Sequence, residues 1–150
     1  MVNTGGSYTM NTVAISIALL VVSFILLAIY GADVLTASTA SPEGVRGTGF
    51  LPFGEEVRGG VFGGGAVVLS VIAFIISRNV PSKTISLLLF INGGLIIAGI
   101  ILTVLAVNSS SIGGMERTVG STIMLGLLLI GLGIWKITLD RKALSKHQPS

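Results

Sequence analysis

Residues 84–107 read TISLLLFINGGLIIAGIILTVLAV, a stretch that no Asp, Glu, Lys or Arg interrupts. The hydrocarbon core of a bilayer is about 30 Å thick and takes roughly 17–25 apolar residues in a helix. Only a helix satisfies the backbone of one isolated segment there, so this stretch predicts a transmembrane α-helix. Three more segments meet the same test, at about 13–30 (VAISIALLVVSFILLAIY), 61–77 (VFGGGAVVLSVIAFIIS) and 119–139. The last carries no charge before Lys136, and the second is short enough to need Gly59 and Gly60 for full length.

Composition agrees. Of 150 residues, 51% are hydrophobic and 10% charged, against roughly 25% charged in a typical soluble domain. Mean hydropathy is +0.95. A water-soluble globule and a disordered chain are both excluded. The expected fold is all-α: a polytopic membrane protein, one four-transmembrane-helix bundle with a long outer loop at 31–60 and a basic tail at 140–150.

Four crossings put both termini and the 78–83 turn on one side. That side holds Arg78, Lys83, Lys136, Arg141, Lys142 and Lys146; the other holds Arg46, Arg58 and Arg117. Six basic residues against three, with most acids (Asp33, Glu43, Glu55, Glu56, Glu116) opposite, predict cytoplasmic termini in a multi-pass protein of the cell membrane. Tyr30 and Trp135, with Lys136 beside it, fall where interface anchors belong. The basic tail reads as an orientation device or a clamp on anionic lipid, and nucleic-acid binding is not expected. A signal-peptide reading of the first span is weakened by the lack of Lys or Arg in the leading residues. Cleavage near Ser38-Thr39-Ala40 would leave three spans and the same orientation.

No cysteine is present and the one histidine is His147. Thiolate, haem, copper and catalytic zinc sites built from this chain alone are therefore not expected, and neither cofactor nor metal is predicted. Glu55-Glu56 lacks a histidine partner. Gly47-Thr48-Gly49 lacks the strand and the Lys-Ser/Thr of a phosphate loop. Phe50-Leu51-Pro52-Phe53 is a short apolar patch suited to the membrane interface or a partner. Asn108-Ser109-Ser110 fits a glycosylation sequon close to the membrane. No constellation predicts an enzyme.

The helix faces carry the remaining information. Glycine numbers 21, about twice average usage, and is absent from 13–30. In lipid, close backbone approach at small residues supplies packing. Gly59 with Gly63, Gly60 with Gly64, Gly94 with Ala98, and Gly126 with Gly133 predict that spans two, three and four pack closely. Span one is left to lipid or a partner. Asn92 is the strongly polar side chain inside a span. It predicts an interhelical hydrogen bond, with Ser70, Ser121 or Thr122 as candidates; alternatives are a broken helix at Asn92-Gly93-Gly94 or a contact with another subunit. With no ionisable group in the membrane interior, a self-contained ion-coupled transporter is disfavoured.

The short uncharged N-terminus, Gly31-Ala32-Asp33 closing span one, the 78–83 turn, Asn92-Gly93-Gly94 and the basic tail together resemble the small four-span accessory subunits of archaeal membrane complexes of the ammonia monooxygenase type. The resemblance implies a structural subunit without its own metal. The function expected is that of a non-catalytic protein packing against other membrane subunits or itself, with the lipid bilayer as solvent. The alternative is a small channel or carrier for a neutral solute.

Overall fold

The computed structural model describes residues 5–39, 49–106 and 116–145. All regular structure among them is helical: α1 (Gly5–Thr39), α2 (Glu55–Arg58), a π-helical turn (Gly59–Gly64), α3 (Gly65–Ser77), α4 (Lys83–Ala106) and α5 (Glu116–Ser145). Four helices are long and apolar enough to cross a membrane, over Met10–Ala37, Gly59–Ser77, Lys83–Leu105 and Val119–Lys142. The chain is an all-α, four-helix, multi-pass membrane protein. The sequon at Asn108, the tail beyond Ser145 with Lys146 and His147, and Gly47-Thr48 lie outside the described residues.

The first helix corrects the sequence reading. It packs against α3 and α4, and its Leu20 and Leu27 belong to the two buried apolar clusters. Leu20 shares its cluster with Ala73, Phe74, Ile85 and Leu89; Leu27 shares the other with Ala66, Val67, Ile96 and Leu129. The reason lies in a heptad of small and polar residues rather than in glycine. Ser16, Leu20, Ser23, Leu27 and Tyr30 advance by alternating steps of four and three, which keeps them on one helical stripe. Ser77, Ala73, Ser70, Ala66 and Gly63 step the same way along the antiparallel partner. Small side chains along span two let α1 approach closely, and dispersion contacts reward the fit.

A second seam joins α4 to α5. A Cβ added at Gly93 would lie 2.8 Å from the Gly126 carbonyl oxygen, and one at Gly133 would lie 3.3 Å from that of Ser86. Gly126 and Gly133 thus both lie against α4. Gly94 and Ala98 do not join this seam. Gly94 has open space around its Cβ position and Ala98 is exposed. One residue turns a helix by about 100°; with Asn92 facing α1 and α3 and Gly93 facing α5, Gly94 is carried outward.

One span holds as expected and one boundary moves. Helix α4 runs unbroken through Asn92-Gly93-Gly94, because a break in hydrocarbon would strand backbone groups without partners. Helix α1 continues past Tyr30 to Thr39, so Asp33 is a helical residue, not a loop residue. The glycine run at the start of span two adopts a π-helical turn with no buried residue. Tyr30 fills the adjoining space: its ring lies 3.6 Å from a Cβ placed at Gly63 and its hydroxyl 3.5 Å from one at Gly59. The neighbour of Gly64 is the Gly59 carbonyl of the same segment, at 3.9 Å, and Gly60 is open.

Candidate functional site

The polar side chains inside the bundle fall into three layers. The middle layer is built on Asn92, which is 0% exposed. The two hydrogens on its Nδ2 are shared among three acceptors, the Leu20 carbonyl at 3.3 Å, Ser23 Oγ at 3.1 Å and Ser70 Oγ at 3.3 Å. Ser23 donates to the Ala66 carbonyl at 2.8 Å, which leaves Ser70 to donate across the 2.8 Å gap to Ser23. One carboxamide thereby ties α4 to α1 and α3. Ser70 was foreseeable as a partner; Ser23 was not, because it sits in the span assigned to lipid. Asn92 Oδ1 and Ser16 Oγ are buried without a hydrogen-bond partner.

The other two layers are ionic. Asp33 lies ten residues along α1 from Ser23, and Ser82 ten residues along the chain from Asn92. Each interval is a rise of about 15 Å in helix, half of a roughly 30 Å core. Asn92 lies near the middle of the apolar span Lys83–Leu105, so a bilayer centred on that span puts the ion pairs near its two boundaries.

At the end carrying the 49–58 segment, Asp33 is 1% exposed. It accepts from Arg58 Nη1 at 2.6 Å through Oδ2 and from the Leu51 amide at 2.8 Å through Oδ1. The bond is single, and Arg58 Nε has no partner. Leu51 is thus pinned while Phe50 and Phe53 stay more than half exposed. Replacing Asp33 with alanine strands a largely buried guanidinium and frees the Leu51 amide. Loss of such charge-assisted bonds costs about 1.5–3 kcal/mol. We expect cleavage at Phe50 and Phe53 by an aromatic-specific protease to accelerate ten-fold or more, with helicity unchanged. An unaltered cleavage rate would contradict this anchoring.

At the opposite end Lys136 reverses its expected role. It is 0% exposed, turned into the bundle rather than outward to headgroups. Its ammonium donates to the Asp140 carboxylate one turn on and to the Val80 carbonyl at 2.8 Å. Asp140 accepts from the Ser82 amide at 3.2 Å and from Ser86 Oγ at 3.3 Å. The physical reason is the 78–82 turn. Carbonyls following α3 and amides opening α4 lack helical partners; the cation meets the first and the carboxylate the second, each with the favourable sign for the helix dipole. Trp135 remains 57% exposed and packs on Phe74 at 5.6 Å between ring centroids. Tyr30 is half-buried against the π-helical turn.

Among the described residues, no three His, Cys, Asp or Glu side chains come together as a metal site would require. The assembled groups hold helices, set their register and fix two chain turns. Comparisons of the chain with protein-family models, curated proteins and solved structures find no match.

Proposed function

We propose that this protein is a non-catalytic accessory subunit of the cell membrane, with cytoplasmic termini, that works by packing against other membrane subunits or further copies of itself. The observation that supports this reading most is how the interior polar groups are used. Asn92, Ser23 and Ser70 bond to one another and to backbone; Lys136 with Asp140 and Asp33 with Arg58 close on each other and on chain turns. That arrangement spends its polar chemistry on architecture. The outward faces are apolar and carry small residues, with Gly94, Ala98 and Gly131 open to a neighbouring helix. Such surfaces favour helix association in lipid. The similarity to four-span accessory subunits of archaeal membrane complexes points the same way and suits a place beside a membrane oxidoreductase.

The second reading, a channel or carrier for a neutral solute, is favoured by Asn92 Oδ1, an acceptor without a partner near the midplane. Extraction in a mild detergent followed by size analysis tests the first reading: a larger assembly is expected, and a free monomer alone counts against it. Asn92→Leu separates the two. The packing role predicts unchanged solute flux and a bundle weakened by about 0.6–2 kcal/mol, the worth of interhelical hydrogen bonds. A transport role predicts lost flux from an intact assembly.

A further inference from the structure

The end of the bundle that carries the 78–82 turn has a shallow, open apolar groove of about 320 Å³, lined by Met10, Val13, Ala14 and Val80. Its size falls at the lower end of small-ligand sites, about 300–1,000 Å³. Val13 lies ten residues from Ser23 along α1, so the groove sits about 15 Å from the midplane, where acyl chains give way to headgroups.

Its surroundings are charged in one sense. Arg78 and Lys83 are exposed and lie two and three residues from Val80, within about 7 and 11 Å of extended chain. Arg141 and Lys142 are exposed on α5 at the same end. The acid described there, Asp140, is buried and neutralised by Lys136. Lys136 also holds the carbonyl of Val80, so the wall of the groove is tied down from beneath while the flanking cations face outward.

We propose that this groove and its flanking cations form a binding site for an anionic glycerophospholipid. The start of one acyl chain lies on Met10, Val13, Ala14 and Val80, and the phosphate meets Arg78 and Lys83. An uncharged solute leaves the cations unused, and a soluble anion leaves the apolar groove unused; an anionic lipid uses both. The inference depends on the membrane setting alone and stands whether or not the chain is an accessory subunit.

The test uses the full chain in detergent with equal amounts of phosphatidylglycerol and phosphatidylcholine of identical chains, counting retained lipid by native mass spectrometry. Wild type is expected to retain phosphatidylglycerol preferentially. Each nearby cation contributes about five-fold at a membrane surface, so R78Q/K83Q should lower that retention about 30-fold. Ala14→Trp fills the groove and leaves both cations in place; Met10→Ser makes the groove polar. Both positions are exposed, so helicity should persist, and each variant should lower retention at least five-fold. Millimolar inorganic phosphate should not displace the lipid. Equal retention of the two lipids, full retention in both groove variants, or displacement by free phosphate would each overturn the site.

Discussion

Gly93→Val should lower the stability of the bundle by at least about 1–3 kcal/mol, the usual cost of forcing extra methyl groups into packed space. A Cβ at Gly93 lies 2.8 Å from the Gly126 carbonyl oxygen, 2.8 Å from Ile130 Cγ1 and 2.9 Å from the Ile130 amide nitrogen. Two of these three atoms are backbone, so no side-chain rotation relieves the clash and α5 must move away from α4. Gly126→Val should act in the same direction. Its Cβ meets Ile97 Cγ1 at 2.8 Å, which can rotate, but also the Gly93 carbonyl at 3.2 Å, which cannot. Gly94→Ala is the control. It enters open space and removes a glycine from a helix interior, so it should be neutral or stabilising. Thermal loss of helicity in mild detergent ranks the three. A Gly93→Val midpoint equal to wild type, or a Gly94→Ala midpoint as low as that of Gly93→Val, would refute the seam.

That contrast between neighbouring glycines marks where sequence reading stops. The four apolar stretches were legible because bilayer thickness sets a length that water-soluble helices of this composition do not need. Which face points inward was not, because a helix in lipid is apolar on its outer face as well, and the usual amphipathic signal vanishes. Glycine content drew attention to the Gly126–Gly133 face, which does lie against α4, but also to 59–65 and 94–98 and away from α1. The signal that does mark the inner faces is the heptad of serine and alanine: Ser16 and Ser23 on one helix, Ala66, Ser70, Ala73 and Ser77 on the other, all fully buried. It was present in the sequence but hidden among residues that are common in any membrane helix.

The polar residues divide in the same way. Asn92 was legible as an interhelical donor because a carboxamide in hydrocarbon must find partners. That α4 stays whole around it follows from the same solvent: Asn-Gly-Gly makes a turn readily in water, but in lipid the unpaired backbone outweighs the glycine preference. Asp33 follows a glycine and a helix that already seemed long enough, so its place inside α1 needed the Arg58 and Leu51 partners to be seen. Lys136 and Asp140 stand four apart, a spacing that brings side chains together on one helix, but the sequence reading makes Lys136 an interface anchor and Asp140 part of the basic tail. Their use of Val80 and Ser82 belongs to tertiary structure, and no spacing along α5 announces it.

Asp140→Leu should be the more damaging half of that pair. It leaves the Lys136 ammonium, 0% exposed, with the Val80 carbonyl and no counter-charge, and it uncaps Ser82 and Ser86 together. Breaking a buried pair by removing one member costs about 3–5 kcal/mol. Lys136→Met should cost less, because the Asp140 carboxylate keeps the Ser82 amide and Ser86 hydroxyl and is the more exposed partner. The double variant K136M/D140L removes both charges and should recover much of the Asp140→Leu loss, since replacing a buried pair by apolar groups is often near neutral. Denaturation in mixed micelles completes the cycle, with a coupling expected at the upper end of the roughly 0.5–3 kcal/mol found between residues in contact. The recovery should be incomplete, because the 78–82 turn still loses the groups that satisfied its carbonyl and amide. A double variant as unstable as the sum of the two singles would mean that these charges do not act on each other, and that the turn is held by something else.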